Sequence, residues 1–269
     1  MKQKLLAMMF ALFAVQAIVW AQTDSGYCGD PNVNEGKDIT WELRQDEDRV
    51  DGEGNPLYML YIEGEGAQIT EPWKPYLPYI THLFVFDGVT EVKPALFAGA
   101  NNLVTALLPY TISIPDSMFA ASSLTYIDVE QHSIGNYAFS NCSKLSDVRI
   151  FSTVTSIGRY AFKDCKSLSL VLCFSAVPPP LEFDEYGVGP FEGIPEDAVL
   201  YVEDVEAYKA SDWAKFFKIE KFVDPHGVPT IEAEDAPATP AIIHDLSGRR
   251  VMNPVKGQIY IVNGKAVVM

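Results

Sequence analysis

Two stretches decide the fold. The first reads Ile134-Gly135-Asn136-Tyr137-Ala138-Phe139-Ser140-Asn141-Cys142-Ser143-Lys144-Leu145. The second, 23 residues on, reads Ile157-Gly158-Arg159-Tyr160-Ala161-Phe162-Lys163-Asp164-Cys165-Lys166-Ser167-Leu168. Two looser copies precede them, Val92-Lys93-Pro94-Ala95-Leu96-Phe97 to Leu103 and Ile114-Pro115-Asp116-Ser117-Met118-Phe119 to Leu124. In all four an aliphatic residue stands five places before a phenylalanine and a leucine five or six places after it. The phenylalanines are 22, 20 and 23 residues apart. A fixed period of roughly 20–29 residues is the mark of one small unit stacked on its neighbours.

Each leucine opens a run that alternates apolar and polar residues. Leu124-Thr125-Tyr126-Ile127-Asp128-Val129 and Leu145-Ser146-Asp147-Val148-Arg149-Ile150 are the clean examples, and Leu103 to Leu108 and Leu168 to Cys173 follow the same plan. Ile80-Thr81-His82-Leu83-Phe84-Val85 extends the plan one turn earlier, without a phenylalanine unit before it. Alternation with period two predicts a short strand with one face inward. Strands at a fixed spacing pair in parallel with the next turn, and each turn covers the apolar edge of its neighbour, because no repeat buries that edge alone. The expected fold is an α/β solenoid, predominantly β, with the phenylalanines aligned along one spine. Burying each ring contributes about 1.5–3 kcal/mol.

The units Ile134 to Leu145 and Val154 to Leu168 resemble the BspA-type leucine-rich repeats of bacterial surface proteins. The two earlier units depart from that pattern, with Pro115 in place of the glycine and Met118 or Leu96 in place of the alanine, which predicts looser turns there. The resemblance implies a secreted or cell-surface protein that binds another protein, adhesin-like, without catalysis or a cofactor; the partner it implies is a host or bacterial surface protein.

The flanks read as caps and appendages. Lys2 and Lys4, the apolar run Leu5 to Val19 and Val19-Trp20-Ala21 predict a signal peptide over residues 1–21. The run is shorter than the ~20 apolar residues of a spanning helix, and no later segment would cross a membrane. Residues 22–79 are expected to form an N-terminal β cap: Ile39 to Leu43 and Tyr58 to Glu63 alternate, and the acidic stretch Asp46 to Asn55 joins them as a hairpin loop. Residues 80–223 hold the repeats and a C-terminal cap, in which Phe191 reads as a degenerate fifth ring position and Val205 to Phe217 as a helical turn or two. The proline-rich residues 224–240 read as a linker. Residues 241–269 form a small β unit with Asn263-Gly264 as its hairpin turn. That unit resembles the C-terminal tails of type IX secretion cargo, and it reads equally as a sorting signal or as an accessory hairpin.

Composition excludes some partners. A net charge of −16 repels phosphate backbones and anionic lipid, which argues against nucleic acid and direct bilayer binding. Hydrophobic residues at 48% are ample for a packed core, so general disorder is excluded. His82, His132, His226 and His244 have no metal-ligand spacing, and no zinc-protease or serine-hydrolase motif occurs. Asp46, Asp48, Asp51 and Glu53 fail the spacing of a calcium loop and read as a solvated hairpin tip. Cys142 and Cys165 hold the same place in adjacent turns, so either a disulfide or a ladder of small buried thiols fits, and the packing favours the ladder.

Alternation also names the residues that face outward on the strands: His82 and Phe84, Thr105 and Leu107, Tyr126 and Asp128, Asp147 and Arg149, Leu170 and Leu172. Parallel stacking sets them side by side, as a recognition strip or as surface covered by another part of the chain. Three functions stay open: an interaction protein, a structural spacer or assembly component of the cell surface with no soluble ligand, and a hydrolase with an unrecognised site.

Overall fold

The computed structural model describes residues 24–68 and 70–222, and beyond them the strand residues 243–244, 259–262 and 265–268. The expected signal peptide at 1–21, the expected linker at 224–240 and most of the expected tail at 241–269 lie outside the described residues. Within them the chain winds a β-solenoid of about seven turns.

The principal face of the solenoid is two parallel ladders. Strand β1 (Ser25–Tyr27) pairs antiparallel with β2 (Ile39–Val50), and β2 forms a hairpin with β3 (Pro56–Gly64). From β3 onward pairing is parallel, to β5 (Ile80–Val85) and β7 (Thr105–Leu107). The second ladder runs β8 (Tyr126–Val129), β10 (Asp147–Ile150), β12 (Leu170–Cys173), β13 (Val199–Val202) and β14 (Lys218–Lys221). Shorter parallel pairs hold another side: β4 (Gly66–Ala67) with β6 (Val89–Glu91), and β9 (Ser133–Ile134) with β11 (Ser156–Ile157). A C-terminal sheet of β15 (Ile243–His244), β16 (Ile259–Val262) and β17 (Lys265–Val268) is antiparallel.

The two ladders meet at β7 and β8 without strand pairing, and the expected strand Leu103 to Leu108 is shortened to Thr105–Leu107. Leu108 turns inward and Pro109 has no N–H to donate. The carbonyls left over are met by the Nε2 of Gln131, at 3.3 Å from Leu108 O and 3.2 Å from Pro109 O. The stack itself continues across the break, because Thr125 N–H donates to Val104 O at 3.1 Å.

The phenylalanine spine is present. Phe97, Phe119, Phe139, Phe162 and Phe191 are fully buried, with successive ring centroids 5.9, 5.5, 5.0 and 5.0 Å apart and planes within 19° of parallel. The turn without a phenylalanine unit is filled by Trp73, which stacks on Phe97 at 6.3 Å and meets Trp41 edge-on. The far end is closed by Trp213 and Phe217 against Phe191. Helix α1 (Val205–Lys209), capped by the Asp204 carboxylate accepting from Ala207 N–H, and a following 3₁₀ turn Asp212–Lys215 bring Tyr208 and Trp213 into that cap.

Backbone bonds fix the spacing of the rings. Each phenylalanine N–H donates to a carbonyl of the next turn: Phe97 to Met118, Phe119 to Ala138, Phe139 to Ala161, Phe162 to Pro190, at 2.7–2.9 Å. The residues two after the ring donate the same way in all four turns, as do Ala95, Ser117 and Tyr137 two before it. For this they hold the left-handed conformation: φ is 56–59° at Ala95, Ser117, Tyr137 and Tyr160 before the ring, and 56–59° at Ala121, Asn141 and Asp164 after it. Ser117 keeps the value of Tyr137, so Pro115 does not loosen its turn as expected. The glycine of the motif answers a different need. A Cβ on Gly158 would lie 2.8 Å from the backbone of Gly135 and Asn136, so the glycine lets consecutive turns touch.

Candidate binding face

The alternating strands put their outward side chains into two rows. In one row the register aligns Met59, His82 and Thr105 on the first ladder and Tyr126, Asp147, Leu170, Val199 and Lys218 on the second. The other aligns Tyr61, Phe84 and Leu107, then Asp128, Arg149, Leu172, Tyr201 and Glu220. The ladders are joined across the break by the Tyr126 hydroxyl, 3.5 Å from Thr105 Oγ1. All ten outward positions expected from the sequence therefore fall on one face. Leu107 and Tyr126 are exposed at 58% and 48%, and Arg149 is exposed beside them.

The sequence reading left out Met59, Tyr61, Val199 and Tyr201, which continue the same rows. The signal was available in the alternation of Tyr58 to Ile62 and Val199 to Val202. The first was assigned to a cap, although β3 pairs in parallel with β5, and the second followed a turn disguised by Pro178-Pro179-Pro180.

Chemically the face has three parts. At the N-terminal side it is aromatic: Tyr61 stacks on Phe84 at 4.9 Å, His82 lies 6.4 Å from Phe84, and the Arg44 guanidinium covers the Tyr61 ring at 4.3 Å. At the C-terminal side it is aliphatic, with Leu170, Leu172 and Val199. Between them Tyr126, Asp128, Asp147, Arg149, Leu170 and Leu172 line a shallow depression of about 360 Å³. The two ends are closed by ion pairs, Glu42 with Arg44 at 2.7 Å and Glu220 with Lys218.

The depression holds an incompletely satisfied charge. Asp128 Oδ1 is buried with no hydrogen-bond donor, and the Arg149 Nε lies 3.8 Å from it. Burial pushes the Asp128 carboxyl above its usual range and Arg149 opposes the shift only partly. Glu130 behind it is pushed up as well, first by burial and then by Asp128. The face can therefore offer apolar contact on both flanks and a paired but underbonded carboxylate at its centre.

Other candidates resolve differently. Asp46 is not part of a solvated tip: β2 runs on to Val50, a bulge after Gln45 turns the Asp46 carboxylate inward, and it accepts from Thr81 Oγ1 at 2.6 Å and Arg49 Nη1 at 2.9 Å. Asp51 makes the tip, accepting from the backbone of Glu53 and Asn55, while the side chain of Asp48 lies outside the described residues. All four cysteines are free and buried. Cys142 and Cys165 form the ladder, each thiol donating to a carbonyl of the preceding turn, Phe119 O at 3.0 Å and Phe139 O at 3.1 Å. Burial raises both thiols, and Cys28 to about 12, which leaves them without thiolate character. Among the described residues no group of three or more His, Cys, Asp or Glu comes together to hold a metal, and no helix is long and apolar enough to cross a membrane.

The repeats match a known family model. The family described as BspA type leucine-rich repeat region matches residues 76–177, in six copies. A solved leucine-rich repeat protein from Eubacterium ventriosum is similar at 21% identity and a TM-score of 0.42, over 62% of this chain and 48% of that one. The chain thus spans about half the length of that protein. No curated protein matches. The fold is a leucine-rich-repeat array, of a class whose domains typically bind proteins.

Proposed function

We propose that the chain is an exported, non-enzymatic, adhesin-like protein displayed at the cell surface, and that the open strand face binds a protein partner. The observation that carries this reading is the pairing of rows. Tyr126, Asp128 and Arg149 line a depression, Leu107 stands exposed in the next turn, and aromatic and aliphatic side chains continue the same rows on either side. Such a strip is costly to leave in water and suits a partner that buries it. Export rests on the leader-like residues 1–21, and residues 241–269 are a candidate sorting tail.

The test is a binding screen on arrays of extracellular and bacterial surface proteins, followed by the double variant Tyr126→Ala/Arg149→Ala. A hit whose affinity falls at least about tenfold in the variant supports the face, since central anchors commonly cost more than about 1 kcal/mol on truncation. A hit of unchanged affinity removes the strip as the site. Surface fractionation with and without residues 241–269 tests the tail; equal display in both would end its sorting role.

A further inference from the structure

The face is self-complementary. Take a line parallel to the strands and midway between β8 and β10, and turn a second copy over about it. Asp128 then faces Arg149 of the second copy, and Arg149 faces its Asp128. Tyr126 meets Asp147, where a phenol can donate to a carboxylate. Further out, Leu107 meets Leu172, Phe84 meets Tyr201, and His82 meets Val199. These matches follow from the register within each ladder, with the ladders aligned where the Tyr126 hydroxyl meets Thr105, so that β3, β5, β7 and β8 lie on one side of the line and β10, β12, β13 and β14 on the other. At the centre charge falls opposite countercharge, and at Leu107 and Phe84 apolar falls opposite apolar or aromatic, while at the two ends Met59 faces Lys218 and Tyr61 faces Glu220.

We propose that the partner of this face is a second copy of the chain, docked sheet to sheet about that two-fold axis. The proposal rests on the reading of the strand face as the binding surface. Two further observations support it. The Arg149 side chain is 57% exposed and stands 3.8 Å from its own Asp128, beyond hydrogen-bond range, so its guanidinium keeps donors for a carboxylate across the interface. The terminal ion pairs, Glu42 with Arg44 and Lys218 with Glu220, are satisfied within one chain and close the apolar stretch at both ends.

The size of the face sets the strength. From β3 to β14 it runs about 34 Å at ~4.8 Å per strand and about 13 Å along each strand. Pairing two such faces removes about 900 Å² from water in total, below the ~1,200–2,000 Å² of stable specific interfaces, so the dimer is weak, with a dissociation constant in the micromolar range. Weak pairing of many displayed copies suits contact between surfaces, where multivalency multiplies it.

The experiment is sedimentation equilibrium of the chain from about 1 to about 300 µM, a range that brackets the expected constant. Asp128→Arg places two arginines opposite each other, and Arg149→Asp two aspartates; each is expected to weaken self-association at least about 30-fold, as like charges facing across an interface do. The double variant Asp128→Arg/Arg149→Asp is expected to recover it. So is an equimolar mixture of the two single variants, because each then offers the other its missing countercharge, a result that misfolding of either variant cannot produce. A wild-type chain that stays monomeric at the top of the range overturns the proposal, as does failure of both the double variant and the mixture to recover association. If the chain is monomeric but loses an array partner in Tyr126→Ala/Arg149→Ala, self-pairing falls and the strand face as a binding surface stands. If self-association is unmoved by either single swap, the copies meet elsewhere.

Discussion

Phe139→Ala tests the principle on which the solenoid is built. The ring is fully buried, with Phe119 5.5 Å away on one face and Phe162 5.0 Å away on the other. Neither neighbour can swing into the space, because each is held by its own N–H donating to the next turn. Truncating a buried phenylalanine costs about 3–5 kcal/mol through lost transfer energy and the cavity left behind. Two stacked faces are lost here, each contributing about 0.5–1.5 kcal/mol beyond area, which places this position near the upper limit of that range. At ~2–4 °C per kcal/mol for a domain of this size, Tm falls by roughly 10–20 °C. The assay is urea unfolding followed by far-UV circular dichroism and by tryptophan fluorescence. Trp73 and Trp213 sit at opposite ends of the ring column and report on both halves. Leu107→Ala is the control: exposed at 58%, it should change stability by less than about 0.5 kcal/mol. A Phe139→Ala loss below about 1 kcal/mol, or one no larger than that of Leu107→Ala, refutes the idea that a continuous ring column holds the turns together.

Three further outcomes follow from the turns and the central charge. Gly158→Ala puts a Cβ 2.8 Å from the backbone of Gly135 and Asn136, so adjacent turns must part; a destabilisation of about 1–3 kcal/mol by urea titration is expected, and an unchanged midpoint would show that the turns do not touch there. Ala121 holds φ of 56°, where its Cβ is strained, so Ala121→Gly should raise stability by several tenths of a kcal/mol or more, checked by the same titration; a loss would mean that the left-handed turn is not the native one. Asp128 has a raised folded pKa, so the folded chain binds its proton more readily than the unfolded chain does. The stability penalty of its charge is absent at low pH and appears as pH rises through the raised value. Asp128→Asn should therefore melt higher than wild type at pH 7 and lose that advantage as pH falls through the carboxylate range; scanning fluorimetry showing no difference at pH 7 would contradict the desolvation argument.

The spine and the outward rows were legible in the chain because both depend on short periods. Phe97 to Phe162 recur at one spacing, and residues such as Asp147 and Arg149 face outward by simple alternation, which survives any detail of turn geometry. What was not legible depends on substitution of one chemistry for another at an equivalent place. Trp73 fills a ring position with no phenylalanine motif around it, so the turn it completes was read as part of a cap, and with it Met59 and Tyr61 dropped from the face. Asp46 was misplaced because it was read as part of the acidic hairpin tip, whereas β2 runs on through it to Val50 and a bulge after Gln45 turns its carboxylate inward. The left-handed turns were hidden for a related reason: Ala95, Ser117, Tyr137 and Tyr160 share a conformation, while alanine, serine and tyrosine share no side-chain chemistry that would mark it.

The same division of labour bears on why Asp128 and Arg149 stand where they do. Inward positions are constrained turn after turn, since each ring or thiol contacts both neighbours, whereas an outward residue can change without disturbing the stack. Stability does not account for the central pair. The ion pair is long, half-exposed and screened by solvent, a class that adds little to folding, and burial costs the Asp128 carboxyl more than Arg149 returns. Leucine or threonine, which the neighbouring turns carry in these rows, would fill the same places without that cost. A charge that weakens the folded chain, lies in a depression, and is flanked by exposed apolar side chains is accounted for by what docks against it. Where Asp128 and Arg149 exchange partners about the proposed axis, a copy of the chain meets that need at the centre of the face.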